Sequence, residues 1–168
     1  MNISMYNVSI PVLIKMLGNL DAILDKTIAH AAARKIDEAA FVDARLFPDM
    51  FPFARQIRIA TDMAKGAGAR LAGIEIPKYE DNEKTLPELK ARLHKCIAFL
   101  QTLTPAQIDG SEERAITLTA GKNTFNFKGL DYLNSWVLPN FYFHVATAYN
   151  LLRHGGLEIG KMDFLGKV

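Results

Sequence analysis

The chain predicts an all-α protein, a four-helix bundle with one small β-hairpin placed before its last helix. Three observations carry this. Four segments repeat apolar residues at steps of three and four, as one face of a helix requires. A single stretch, residues 115–128, switches to strict alternation. The length of 168 residues, 49% of them hydrophobic, suits one domain that buries its own core without disulfides or structural metal. Two strands are marginal alone, so the hairpin must lean on the helices. With no repeats or low-complexity tracts, residues 1–168 read as a single helical-bundle domain.

The first helix is expected over residues 10–33, with Ile10, Leu13, Ile14, Leu17, Leu20, Leu24, Ile28 and Ala31 on one side and Lys15, Asn19, Asp25 and Lys26 on the other. Ser9 suits its cap and Pro11 its first turn, where a missing N–H costs nothing. Residues 34–50 weaken the pattern; Asp37 suits a cap for a short helical piece reaching Ala44, and Pro48 ends it. The second helix spans 53–71, with Phe53, Ile57, Ala60, Ala64, Ala67 and Leu71 on one face and Gly66 and Gly68 near its end, small residues that permit close approach. Residues 74–84 form a connection suited to crossing the bundle. Thr85-Leu86-Pro87-Glu88 is a capping box, and Leu86, Leu89, Leu93, Ile97 and Leu100 form the stripe of the third helix. The alternation of Ile116, Leu118 and Ala120, then Phe125 and Phe127, reads as a hairpin around a four-residue-scale turn, Ala120-Gly121-Lys122-Asn123. A short helix over 130–137 and a last helix over 139–153 follow, stopped by Gly155 and Gly156. The tail, 157–168, reads as an ordered or fraying extension.

Composition narrows the function. Twenty Lys and Arg against eighteen Asp and Glu give a net charge of +2, scattered along the chain, so the electrostatic footprint of a dedicated nucleic-acid binder or a membrane-surface protein is missing. Lys15, Asp21, Asp25 and Lys26 interrupt the longest apolar stretch, short of the roughly eighteen consecutive apolar residues of a membrane span. A lone cysteine, Cys96, and an amino-terminal segment without secretory pattern point to the cytoplasm.

The last helix holds the candidate site. Trp136, Phe141, Tyr142, Phe143, His144, Tyr149 and Asn150 crowd into fifteen residues, and Asn140 and His144 share one face four residues apart, so an amide and an imidazole can meet one ligand or each other. His144 reads as a hydrogen-bonded core histidine or as a pocket group. Cys96 reads as a small core residue, His94 as turned away from it, and His30 and His154 as groups stabilised near helix C-termini.

Leu138-Pro139-Asn140-Phe141-Tyr142-Phe143-His144 followed by Ala148-Tyr149 and Leu151-Leu152-Arg153-His154-Gly155-Gly156 resembles the family catalogued as domain of unknown function 1993. Val8-Ser9-Ile10-Pro11, Met16-Leu17-Gly18-Asn19-Leu20, Pro48-Asp49-Met50-Phe51-Pro52 and Arg70-Leu71-Ala72-Gly73 extend the resemblance over nearly the whole chain. It implies the DinB and YfiT-like four-helix bundle, a superfamily counted largely as metalloenzymes or thiol-dependent transferases, and a homodimer. Its typical members hold a divalent metal through one histidine on the second helix and a His-x-x-x-His pair on the last. The resemblance aligns His144 with the second of that pair and Asn140 with the first, and sets Arg58 or Asp62 near the missing second-helix histidine. One His and one Asn, with or without one Asp, would hold a transition metal poorly, and an Arg would repel it. The expected pocket is His144, Asn140, Trp136, Tyr149, Arg58 and Asp62, serving a small molecule or self-association without a cofactor; Arg58 could receive a carboxylate or phosphate there, or simply pair with Asp62 on the surface. The alternative is a thiol transferase or isomerase that keeps nickel, zinc or iron through His144.

Overall fold

Helix formation begins earlier than the apolar stripe suggests. In the computed structural model, which describes residues 3–167, α1 spans Met5–Arg34, and its cap is Ser4, whose Oγ accepts the Asn7 N–H at 3.3 Å. Ser9 lies inside the helix, fully buried, its hydroxyl donating back to the Met5 carbonyl at 2.5 Å. Pro11 is accordingly an interior residue and not a first-turn one. By length and composition α1 is apolar enough to cross a membrane, whereas the count of consecutive apolar residues predicts no such segment. Within the bundle its apolar side is spent on the core: Ile10, Leu13, Leu17, Leu20 and Leu24 are all at 1% exposure or less. Each such burial stabilises by roughly 1.5–3 kcal/mol.

After α2 (Ala39–Val42), where Asp37 Oδ1 accepts the Ala39 N–H at 3.0 Å, a loop leads to α3 (Phe53–Ala72). The predicted α3 stripe is the buried one, Phe53, Ile57, Ala60, Ala64, Ala67 and Leu71. At Gly68 a Cβ would meet methyl groups of Leu103 and Leu100 at 2.6 and 2.9 Å, so a larger residue here would force those side chains to shift. The α4 helix (Leu86–Gln101) starts on the predicted capping box: Thr85 Oγ1 accepts from the Glu88 N–H, and Glu88 Oε2 accepts from the Thr85 N–H at 3.0 Å. The four long helices, α1, α3, α4 and the last, pack as α1 on α4, α4 on α3 and α3 on the last helix.

Following α5 (Pro105–Ile108), β1 (Ala115–Ala120) and β2 (Asn123–Lys128) pair antiparallel with Ala120 opposite Asn123. The turn is therefore two residues, Gly121 and Lys122, not four; Gly121 at φ +61° supplies the left-handed first position that such a turn demands. Ile116 and Leu118 of β1 are buried.

The final helical run is continuous. α6 (Gly129–Asp131) passes into a π-helical stretch, Tyr132–Val137, and then into α7 (Leu138–His154), with Pro139 in the first turn of α7. The wider π turn carries the chain past a proline that cannot donate, so the two expected helices join. α8 (Lys161–Leu165) folds back on α1, where Asn19 Nδ2 donates to the Phe164 carbonyl at 2.9 Å and Lys26 pairs with Asp163. The tail is thus ordered onto the bundle; Val168 lies outside the described residues.

Candidate functional site

The α3 and α7 helices are neighbours, and a buried polar pair joins them. Gln56, 1% exposed, points from α3 at His144, 8% exposed, on α7; Gln56 Oε1 and His144 Nδ1 are 2.6 Å apart. The Gln56 Nε2 donates to the Phe51 carbonyl at 3.0 Å, which commits the amide oxygen to accepting. His144 Nδ1 therefore carries the proton. Burial pushes the His144 pKa below its ordinary 6.5, so the ring is neutral near neutral pH and Nε2 holds a lone pair. The ring borders a cavity of about 230 Å³ with Asp49, Met50, Phe51, Gln56 and Phe143. The site is a hydrogen-bond acceptor held in one tautomer beside an open, mostly apolar hollow.

Of the six pocket residues expected from sequence, only His144 lines this cavity. Arg58 and Asp62 face elsewhere because α-helical residues advance about 100° each, so Arg58 sits nearly opposite Gln56. Arg58 Nε donates to Glu83 Oε2 at 2.9 Å, with a further bond to the Glu83 carbonyl, and Asp62 pairs with Arg92 at 2.8 Å and Lys65 at 3.1 Å. The two are not paired with each other. Asn140 turns back on its own helix, its Nδ2 donating to the Trp136 carbonyl at 2.6 Å at the π-to-α junction. The Trp136 ring packs on Phe125 and Phe127 of the hairpin, at centroid separations of 4.9 and 5.9 Å. Tyr149 meets Phe164 of α8 edge-on at 5.9 Å. The expected cluster is thus distributed over four parts of the molecule. Gln56, which completes the site, was missed by sequence reasoning; the available signal was a polar residue set between Phe53 and Ile57 on a buried face.

Metal ligation does not fit these side chains. Among the described residues no three His, Cys, Asp or Glu converge as a cation would require. Gln56 Oε1 is engaged by His144, and the Asn140 amide is turned away. One imidazole nitrogen and one loop carboxylate fall short of a transition-metal shell.

The charged groups of α3 and α4 form a second, separate assembly. Arg92, with its side chain 2% exposed, donates to Thr61 Oγ1 at 2.7 Å and the Glu80 carbonyl at 3.1 Å and pairs with Asp62, Asp81 and Glu83. It pins residues 73–85 across both helices, aided by Lys65, which donates to the Pro77 carbonyl at 2.9 Å. Burial raises the Glu83 carboxyl, but hydrogen bonds from Arg92 and Arg58 outweigh it and hold its pKa below the ordinary value. Arg92 has every N–H direction engaged, so this assembly reads as a structural clasp. Cys96 lies in the core, where burial pushes its thiol up to about 12, and is no nucleophile. His94 pairs with Asp21 at 2.8 Å on the α1–α4 surface, and His30 packs edge-on against Phe41.

The family model for a domain of unknown function, DUF1993, matches residues 5–165. Among solved structures, a DinB family member protein from Shewanella denitrificans is 37% identical, with a TM-score of 0.87 over 97% of this chain and 92% of that one. No protein with a curated description matches.

Proposed function

Because the chain belongs to the DUF1993 family and shares its fold with a DinB family member, we propose that it is a small-molecule-binding bundle protein that works without a metal at the His144 cavity. One observation carries the reading: a neutral imidazole, oriented by a buried amide that is itself fixed by the Phe51 carbonyl, presents an unengaged Nε2 beside a hollow. A histidine that serves packing alone ordinarily has both ring nitrogens engaged, whereas no partner among the described residues takes Nε2. Here burial costs the charged form and the amide selects the tautomer, so the acceptor is preorganised and little ordering is left for binding. The cavity is smaller than the roughly 300–1,000 Å³ of drug-sized sites, so its ligand is of fragment size.

The test is nuclear magnetic resonance of the His144 and Phe143 ring signals while fragment-sized compounds are added to untagged protein. Several compounds should move both signals, and His144→Ala should abolish the response. Silence from every compound overturns the reading. So does near-stoichiometric nickel, zinc or iron in the purified protein, which would favour the divalent-metal enzyme instead.

A further inference from the structure

The hydrogen-bonding character of the cavity specifies its ligand more closely. Its lining side chains are Asp49, Met50, Phe51, Gln56, Phe143 and His144. Two of these offer a free polar atom, and both accept. His144 Nε2 has its lone pair available, since Nδ1 takes the proton and the bond to Gln56. Asp49 is exposed, forms no ion pair among the described residues, and stands at the same hollow. The lining's side-chain donors are both spent, Gln56 Nε2 on the Phe51 carbonyl and the His144 Nδ1 N–H on Gln56 Oε1.

Two cations stand nearby in sequence, and neither forms an ion pair with Asp49. Arg45 donates to the Met50 carbonyl at 2.6 Å, and Arg55 lies 3.8 Å over the Phe51 ring. Neither lines the cavity. Phe143, 57% exposed, leaves an aromatic surface beside the carboxylate. With its free side-chain groups both acceptors, the pocket disfavours an anion, whose oxygens would face a lone pair and a carboxylate. It receives a neutral donor weakly. It suits a group that donates several N–H bonds and carries positive charge, next to an aromatic ring that attracts cations.

We infer that the His144 cavity takes a small organic ammonium ion, with its N–H groups shared between His144 Nε2 and the Asp49 carboxylate and its carbon body against Met50, Phe51 and Phe143. The inference rests on the binding function proposed above. It adds the charge and donor character of the ligand, and it assigns Asp49 as the residue that selects them.

The experiment is isothermal titration calorimetry of the full chain at about pH 8, where the imidazole is neutral and a primary amine is still protonated. The three probes share one ring: benzylamine, benzyl alcohol and benzoate. Benzylamine should bind on the order of tenfold more tightly than benzyl alcohol, and benzoate should give no heat. Asp49→Asn alters an exposed loop residue and leaves the core untouched. It should weaken benzylamine about five-fold, the scale of one exposed ion pair, and weaken the uncharged alcohol less. Equal binding of alcohol and amine, or any preference for benzoate, overturns the ammonium inference while the binding function stands. The same holds if benzylamine fails but other fragments still move the His144 ring signals. If no compound of either experiment registers, both fall.

Discussion

At the scale of single residues, His144 and Gln56 make a coupled unit whose behaviour follows from burial. The imidazole is disfavoured in its charged form, so as pH falls below about 6.5 the unfolded chain takes up the proton while the native ring resists. The unfolded state then binds more protons, and stability declines until pH passes the lower native value. His144→Asn keeps a nitrogen near the Nδ1 position for Gln56 but cannot titrate. Urea midpoints measured on both sides of that range should fall with pH in the natural protein more than in the variant; parallel curves would reject a depressed His144 pKa. His144 itself was visible in the sequence as an imidazole among aromatics. Gln56 was not, because its place beside Phe53 and Ile57 on the apolar face hinted at burial but named no partner, and a two-residue change of register on α3 moves a side chain to the opposite face.

At the scale of elements, local signals were reliable where the chemistry is local. The Thr85 capping box, the α3 stripe and the hairpin alternation each depend on neighbours within a few residues, and each appears as expected. The start of α1 did not, since Ser9 has the chemistry of a cap but is used inside the helix, its hydroxyl bonded back to Met5. Trp136 shows how an element changes a residue's role. Conspicuous in sequence as a pocket residue, it anchors the hairpin through Phe125 and Phe127. Trp136→Ala should cost about 2–3 kcal/mol in urea denaturation, less than a fully buried aromatic because the ring is half-buried. It should also speed amide exchange in β1 and β2 ahead of the helices, because an unsupported hairpin is marginal. Uniform acceleration across all elements would show that Trp136 belongs to the bundle core instead.

At the scale of the whole molecule, we retain the homodimer as a proposal. Support comes from apolar side chains left in solvent on the loop before α3, Leu46 at 40% and Phe47 at 63% exposure, close in sequence to the cavity residues Asp49, Met50 and Phe51. Light scattering should give near twice the 18.7 kDa of one chain at micromolar concentration, and a single-chain mass throughout a wide range would reject the dimer. What the amino-acid order determined unaided was the architecture: periods of 3.6 and 2, caps and turn glycines are properties of short segments and survive any packing. It also determined the membership of the family and the prominence of His144. The site itself was a tertiary decision. Arg58 and Asp62 were claimed by the clasp of Arg92 and Glu83, Asn140 by its own helix, Trp136 by the hairpin and Tyr149 by α8. Which partner a polar or aromatic side chain takes depends on the rotation of each helix about its axis and on the segments that cover it. Those are settled only when all the elements pack together, which is how Gln56 came to stand opposite His144.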